Sequence, residues 1–209
     1  MTGFFITGTD TDVGKTVASA WAVLQLHGVY WKPVQSGIEE SETDSQFVAR
    51  VAGLQKERLL KSQVELKAPL SPDQAAELEN TEIKLSDFTL PATDRPLVVE
   101  GAGGVMVPLN KKEMMIDLMG KFNLPVILVA RSGLGTINHS LLSISALRDA
   151  GLTIAGVILN GIANERNRAA IERFGSVRIL AELPVFARLD KASLMAVLPS
   201  TPIEEWAAG

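Results

Sequence analysis

"GTDTDVGKT", residues 8–16, follows the apolar run "FFI" and precedes a segment whose apolar spacing reads as a helix. A glycine-containing loop between a strand and a helix offers anions its backbone N–H groups and the positive end of the helix dipole. Gly14, Lys15 and Thr16 fit the closing half of the phosphate-binding pattern G-x-x-x-x-G-K-[ST]. Gly8 stands one residue ahead of the place where that pattern puts its first glycine, and Thr9 occupies the expected position. Lys15 is expected to neutralise the β- and γ-phosphates of a nucleotide, and the Thr16 hydroxyl to ligate Mg²⁺. Asp12, Val13, Gly14 and Val17 frame the same phosphates. The loop nevertheless carries two carboxylates, Asp10 and Asp12, where a nucleotide brings negative charge of its own. Helix-start capping accounts for one of them more readily than for both.

Outward from the loop, short runs rich in Val, Ile and Leu alternate with longer helix-like segments. The strand candidates are 3–8, 30–34, 96–101, 125–131, 152–161 and 177–183, with the density expected of strands buried on both faces. Helix candidates are 16–26, 44–54, 137–151 and 164–175, the third stopping at Gly151. This rhythm predicts an α/β fold: a P-loop NTPase-like, doubly wound, mostly parallel sheet flanked by helices. Residues 1–209 read as one domain. The stretch 55–95, with Pro69, Pro72 and Pro91 and few apolar residues, reads as a lid-like insertion.

Composition narrows the chemistry. At 209 residues, 46% hydrophobic and 21% charged, the chain matches an ordinary globule. A net charge of −4 leaves no electrostatic footprint for nucleic acid. The absence of Cys excludes disulfides, thiolate nucleophiles and cysteine-based metal centres. No apolar run nears the ~20 residues of a membrane span, and no basic leader precedes the first strand. The expectation is a cytoplasmic protein.

Further motifs sit at the ends of predicted strands, where open α/β sheets gather ligands. "VVEGAGG" (98–104) ends an apolar run on Glu100, suited to holding a metal, and Gly101, Ala102 and Gly103 let backbone approach a ligand closely. "WKPVQSG" (31–37) supplies Lys32 and Ser36, with Asp44 a little further on. Lys32 is expected to point into the crevice shared by Lys15 and Glu100. "SGLGTINHS" (132–140) opens a helix with Gly135, Thr136, Ile137 and Asn138, and "LNGIAN" (159–164) carries Asn160 and Gly161. The Asn160 amide offers a donor and an acceptor to a nucleobase edge, although Asn-Gly is equally a turn signal. His27 and His139 read as structural.

Taken in order, "GTDTDVGKT", "KPVQSG" (32–37), "VEGAGG" (99–104) and "GTINHSLLS" (135–143) resemble the dethiobiotin synthetase family across most of the chain. The resemblance implies a homodimeric ligase of biotin biosynthesis. Such an enzyme uses ATP, CO₂ and Mg²⁺ to close a ureido ring on 7,8-diaminononanoate, releasing ADP and phosphate. It implies that Lys32 is the active-site lysine and Ser36 a substrate contact. Thr16, Asp44 and Glu100 correspond to metal and nucleotide ligands, and Asn160, with Gly161 and Pro184 nearby, to the adenine site. Segment 133–139 corresponds to backbone that meets the partner subunit's substrate carboxylate. Two departures stand out: "VFARLD" (185–190) lacks the asparagine that better-known relatives offer to adenine, and Asp73 replaces a frequent histidine.

A diamine explains the loop carboxylates, since its ammonium groups must be held beside the γ-phosphate. Asp12, with Thr11 as a neighbouring donor, is the expected counter-ion and proton acceptor, and Asp10 the structural residue. A P-loop switch or partitioning ATPase is the rival from another class, yet such chains usually carry an extra lysine early in the loop. An amide-forming ligase of cobyrinic acid diamide synthase type usually carries a Cys nucleophile, and this chain has none.

Overall fold

Strand β1 (Gly3–Gly8) is buried along its whole length and runs straight into the glycine loop. The computed structural model describes residues 3–39 and 42–208. Around β1 stand β2 (Val29–Trp31), β4 (Leu59–Leu60), β6 (Leu97–Gly104), β7 (Val126–Arg131), β8 (Ile154–Asn160) and β9 (Ile179–Leu183). They form a seven-stranded sheet in the order β4-β2-β6-β1-β7-β8-β9, with every pairing parallel. A two-stranded parallel pair, β3 (Val34–Gln35) with β5 (Val64–Glu65), stands apart.

Alternation along the strands divides the core in two. Phe5, Val99, Leu128 and Ala130 face α4 (Met115–Phe122), α5 (Thr136–Asp149) and α6 (Glu165–Gly175). Phe4, Ile6, Val98 and Val129 face α1 (Lys15–Gln25), α2 (Asp44–Ala52) and α7 (Lys191–Met195). Helices therefore cover both faces, as expected of strands that are apolar on both sides. The chain leaves β1 toward β2 and returns through β6 to β7, so the ends of β1 and its neighbours frame a crevice at the reversal.

Helix α1 carries the loop and is held rigidly from behind. Trp21 stacks on Trp206 with ring centroids 5.5 Å apart, and the Trp21 indole donates to Val197 O at 2.9 Å. Both indoles are fully buried, each contributing roughly 1.5–3 kcal/mol by analogy with other large apolar side chains.

Three sequence expectations change. The run 30–34 is two strands rather than one, because Pro33 lacks an N–H for the ladder; its carbonyl instead accepts from Gln63 N and Val64 N. Strand β6 continues to Gly104, so Glu100 lies inside it, opposite Ile6, rather than at its end. The stretch 55–95 contributes β4 to the sheet edge and contains α3 (Pro72–Leu78), while Leu66, Ala75, Ile83 and Phe88 are buried in the main core. Its few apolar residues thus pack into an existing core instead of building one. Helix α4 was not anticipated, although Met115, Leu118, Met119 and Phe122 mark a helical face.

Candidate active site

The loop closes tightly over the end of β1. A Cβ on Gly8 would meet Asp10 O at 2.7 Å and Val13 Cγ2 at 2.8 Å, so this glycine is needed for close approach despite its early position. Gly14 caps α1 at φ 92°, a left-handed conformation that glycine adopts without strain. Lys15 and Thr16 then open the helix, whose unpaired N–H groups face the crevice. Lys15 is buried and its ammonium donates to Asp10 O at 3.0 Å, which folds it back along the loop. Burial pulls its pKa below the ordinary lysine value, with Glu100 acting the other way.

Thr16, Lys32, Asp44 and Glu100 converge from four elements. Thr16 Oγ1 donates to Asp44 Oδ1 at 2.7 Å and lies 3.0 Å from Glu100 Oε1. Lys32, at the break after β2, places its ammonium 2.7 Å from Asp44 Oδ2, 3.1 Å from Glu100 Oε1 and 3.3 Å from Gly101 O. Burial opposes the charge on Lys32, but Glu100 and Asp44 outweigh it and raise its pKa. Burial likewise opposes ionisation of Asp44, and the neighbouring Lys32 and Thr16 outweigh it, lowering its pKa. Asp44 sits at the start of α2 because Thr43 and Gln46 form a reciprocal cap there, and Gln35 Oε1 accepts from Asp44 N at 3.1 Å.

These groups, with Thr11, Asp12, Gly14, Val17, Phe47 and Gly103, line a cleft of about 440 Å³. The two loop carboxylates diverge. Asp12, at φ 56°, faces the cleft. Asp10 turns away: its Oδ1 accepts from Thr11 N at 2.7 Å, and its Oδ2 lies 3.9 Å from Arg131. Arg131 also donates to Thr11 O at 3.0 Å, bracing the loop from β7.

The remaining candidates are not among the residues that line this cleft. Asn160, at the end of β8, donates to Val13 O at 3.1 Å, so its amide braces the loop. Gly161 N donates to Leu183 O, which places Pro184 at the neighbouring strand end. Ala102 and Gly101 continue β6. Ser36, Gly135, Thr136, Ile137 and Asn138 are not among the residues lining the cleft. Thr136 lines a small hollow with Asp10, Arg131, Leu134 and His139. The Ser36 hydroxyl is buried without a partner among the described residues. Asp73 lines a different hollow, with Glu77 and Asn110.

Sequence reasoning missed Tyr30, Gln35 and Arg131. Tyr30 is fully buried and its hydroxyl donates to Glu100 Oε2 at 2.9 Å. Burial, followed by Glu100 and Asp44, raises its pKa well above the ordinary tyrosine value, which keeps it a donor. The signal was present: Tyr30 lies two residues before Lys32, on a strand whose side chains alternate.

The converging set of hydroxyl and carboxylate oxygens suits a hard cation. Mg²⁺ is commonly held by one or two carboxylates and the substrate's phosphates, with water completing the shell. Thr16, Asp44 and Glu100 fit that requirement, and a lysine ammonium already shares the two carboxylates.

Comparison with known proteins agrees with this architecture. The model of an AAA domain family matches residues 2–193. The ATP-dependent dethiobiotin synthetase BioD of Paramagnetospirillum magneticum is 51% identical over 201 residues, spanning 96% of this chain and 97% of its own length. The protein of the same name from Nitrobacter hamburgensis is 47% identical over 193 residues, spanning 92% of this chain and 91% of its own length. Among solved structures, the cell division ATPase MinD of Pyrococcus furiosus superposes with a TM-score of 0.58 at 17% identity, covering 95% of this chain and 90% of its own. That likeness concerns the fold alone. With half its residues shared end to end, and with a P-loop, a buried lysine and two carboxylates around one cleft, the chain belongs to the ATP-dependent dethiobiotin synthetase family.

Proposed function

We propose that this protein closes the ureido ring of dethiobiotin from 7,8-diaminononanoate, CO₂ and ATP, releasing ADP and phosphate. The observation that carries the reading is one cleft in which Lys15 and Lys32 stand with Asp12, Asp44 and Glu100, in a chain about half identical to ATP-dependent dethiobiotin synthetases. An amine of the substrate attacks CO₂ and loses a proton, forming a carbamate. A carbamate oxygen takes the γ-phosphoryl group and ADP leaves. The second amine then attacks the carbonyl, loses a proton and expels phosphate, closing the ring. No protein nucleophile is needed, which fits a chain without Cys.

Within this scheme the backbone of 12–17 and Lys15 hold the phosphates, and Lys32 steadies charge on the transferring group. Thr16, Asp44 and Glu100 would hold Mg²⁺, which would supply neutralisation of the phosphate charge. Asp12 holds an ammonium of the diamine and accepts its proton, with Thr11 beside it. Asn160, Gly161 and Pro184 border the base, and Gly101, Ala102 and Gly103 allow close approach of backbone. Ser36 and segment 133–139 serve the far end of the substrate, the latter across a homodimer. Exposed Leu134, Leu142 and Met106 support that dimer, since a two-fold contact would cover them. Among the described residues no helix is long and apolar enough to cross a membrane. We further propose that the enzyme works in the cytoplasm, where ATP is supplied.

The test is ADP release measured with and without diaminononanoate and bicarbonate. Release that needs both, with dethiobiotin formed in equal amount, is the expected result. ATP hydrolysis indifferent to the diamine would instead favour a switch ATPase.

A further inference from the structure

Glu100 is completely buried, and its two oxygens have different partners. Oε1 faces Thr16 at 3.0 Å and Lys32 at 3.1 Å, on the cleft side. Oε2 takes the Tyr30 hydroxyl at 2.9 Å, the one donor recorded for it among the described residues. Tyr30 pairs with Val98 across β2 and β6, so it shares a face with Glu100 two residues along and reaches it diagonally. Its ring is packed among the buried residues that back α1, which fixes the hydroxyl.

We propose that Tyr30 is a positioning residue that locks the Glu100 carboxylate, so that a single oxygen, Oε1, is offered to the cation site. The proposal rests on the reading of Thr16, Asp44 and Glu100 as the holders of Mg²⁺. A carboxylate free to turn can present either oxygen or both, and can pair fully with Lys32 instead of serving the metal. Holding Oε2 removes those alternatives, and outer partners of metal ligands commonly matter to affinity in this way.

The test is calorimetric titration of Mg²⁺ into the protein saturated with ADP, for wild type, Tyr30→Phe, Glu100→Gln and the double variant. Tyr30→Phe keeps the ring volume and should fold; Tyr30→Met, which fills the space without a hydroxyl, is the second variant. Loss of the hydroxyl should weaken Mg²⁺ about tenfold, in line with the ~10- to 100-fold known for such partners, while the KM for diaminononanoate stays within about twofold. On the Glu100→Gln background, Tyr30→Phe should add no further loss, because it acts through Glu100. Unchanged Mg²⁺ affinity in both Tyr30 variants, with weakening in Glu100→Gln, overturns the proposal and leaves the metal reading standing. Unchanged affinity in Glu100→Gln itself removes the metal reading and the proposal together. An equal further loss in the double variant shows that Tyr30 acts elsewhere, and also overturns it.

Discussion

The Lys32 ammonium lies 2.7 Å from Asp44 Oδ2, although Lys32 follows β2 and Asp44 opens α2. With Glu100 at 3.1 Å, Lys32 bridges two carboxylates that would otherwise face each other with no charge between them. Replacing it with Met should therefore cost stability as well as activity. Leaving a buried charge unpaired costs about 3–5 kcal/mol, and partial exposure of Asp44 places the expected loss at the low end. Mg²⁺ should restore part of the lost thermal stability in Lys32→Met and do less in wild type. Thermal melts with Mg²⁺ and with EDTA decide this; an Mg²⁺-independent melt would count against the shared cation site.

Lys15→Ala should leave a folded protein whose turnover falls by at least ~10²-fold, since cationic groups on a transferring phosphoryl are worth 10³–10⁵ in related chemistry. Circular dichroism and steady-state ADP release check the two halves. Near-normal turnover would remove the P-loop assignment.

Asp12 faces the cleft while Asp10 is spent on Thr11 N and lies near Arg131. Asp12→Asn should raise the KM for the diamine and leave nucleotide affinity unchanged or tighter, because a charge repelling the phosphates has gone. Asp10→Asn should change neither by more than about twofold, surface ion pairs being worth little. Weaker ATP binding in Asp12→Asn with an unaltered diamine KM is the outcome that sinks the assignment.

Gly14 and Asn160 pack so closely that a Cβ on Gly14 would lie 2.1 Å from Asn160 Nδ2. Gly14→Ala should abolish measurable nucleotide binding, from that clash and from φ 92° together. Adding Asn160→Ala frees the space but not the backbone, so the double variant should remain impaired. Full recovery of ADP binding would show that the glycine's conformation is unimportant.

Leu142→Glu on the exposed side of α5 should shift the protein to monomer in sedimentation and depress diamine turnover, with ADP binding retained. Full activity in a monomer would exclude a role for the partner's 133–139 segment.

Much of the sheet was legible because its strands are continuous apolar runs and its helices have clean ends. Residues 3–8 form β1, and the other central strands match their predicted runs within a few residues. The glycine tail of β6 was not legible, because glycine carries no strand signal, and its extension depends on the neighbouring β1 with which Gly104 pairs. The same holds for 55–95, where sparse apolar residues find a core that lies elsewhere in the chain.

By itself the sequence determined the glycine loop between β1 and α1, the alternation of strand and helix, and the family, because each is written in contiguous residues with local spacing. Tertiary structure alone decided that Lys32, Asp44 and Glu100 meet at hydrogen-bonding distance and that Tyr30 holds one oxygen of Glu100. Those relations join residues up to 70 positions apart. They arise because parallel pairing sets β2 beside β6 in a fixed register, while the turn after β2 and the start of α2 come to the same end of the sheet, and no local pattern records which side chains meet there.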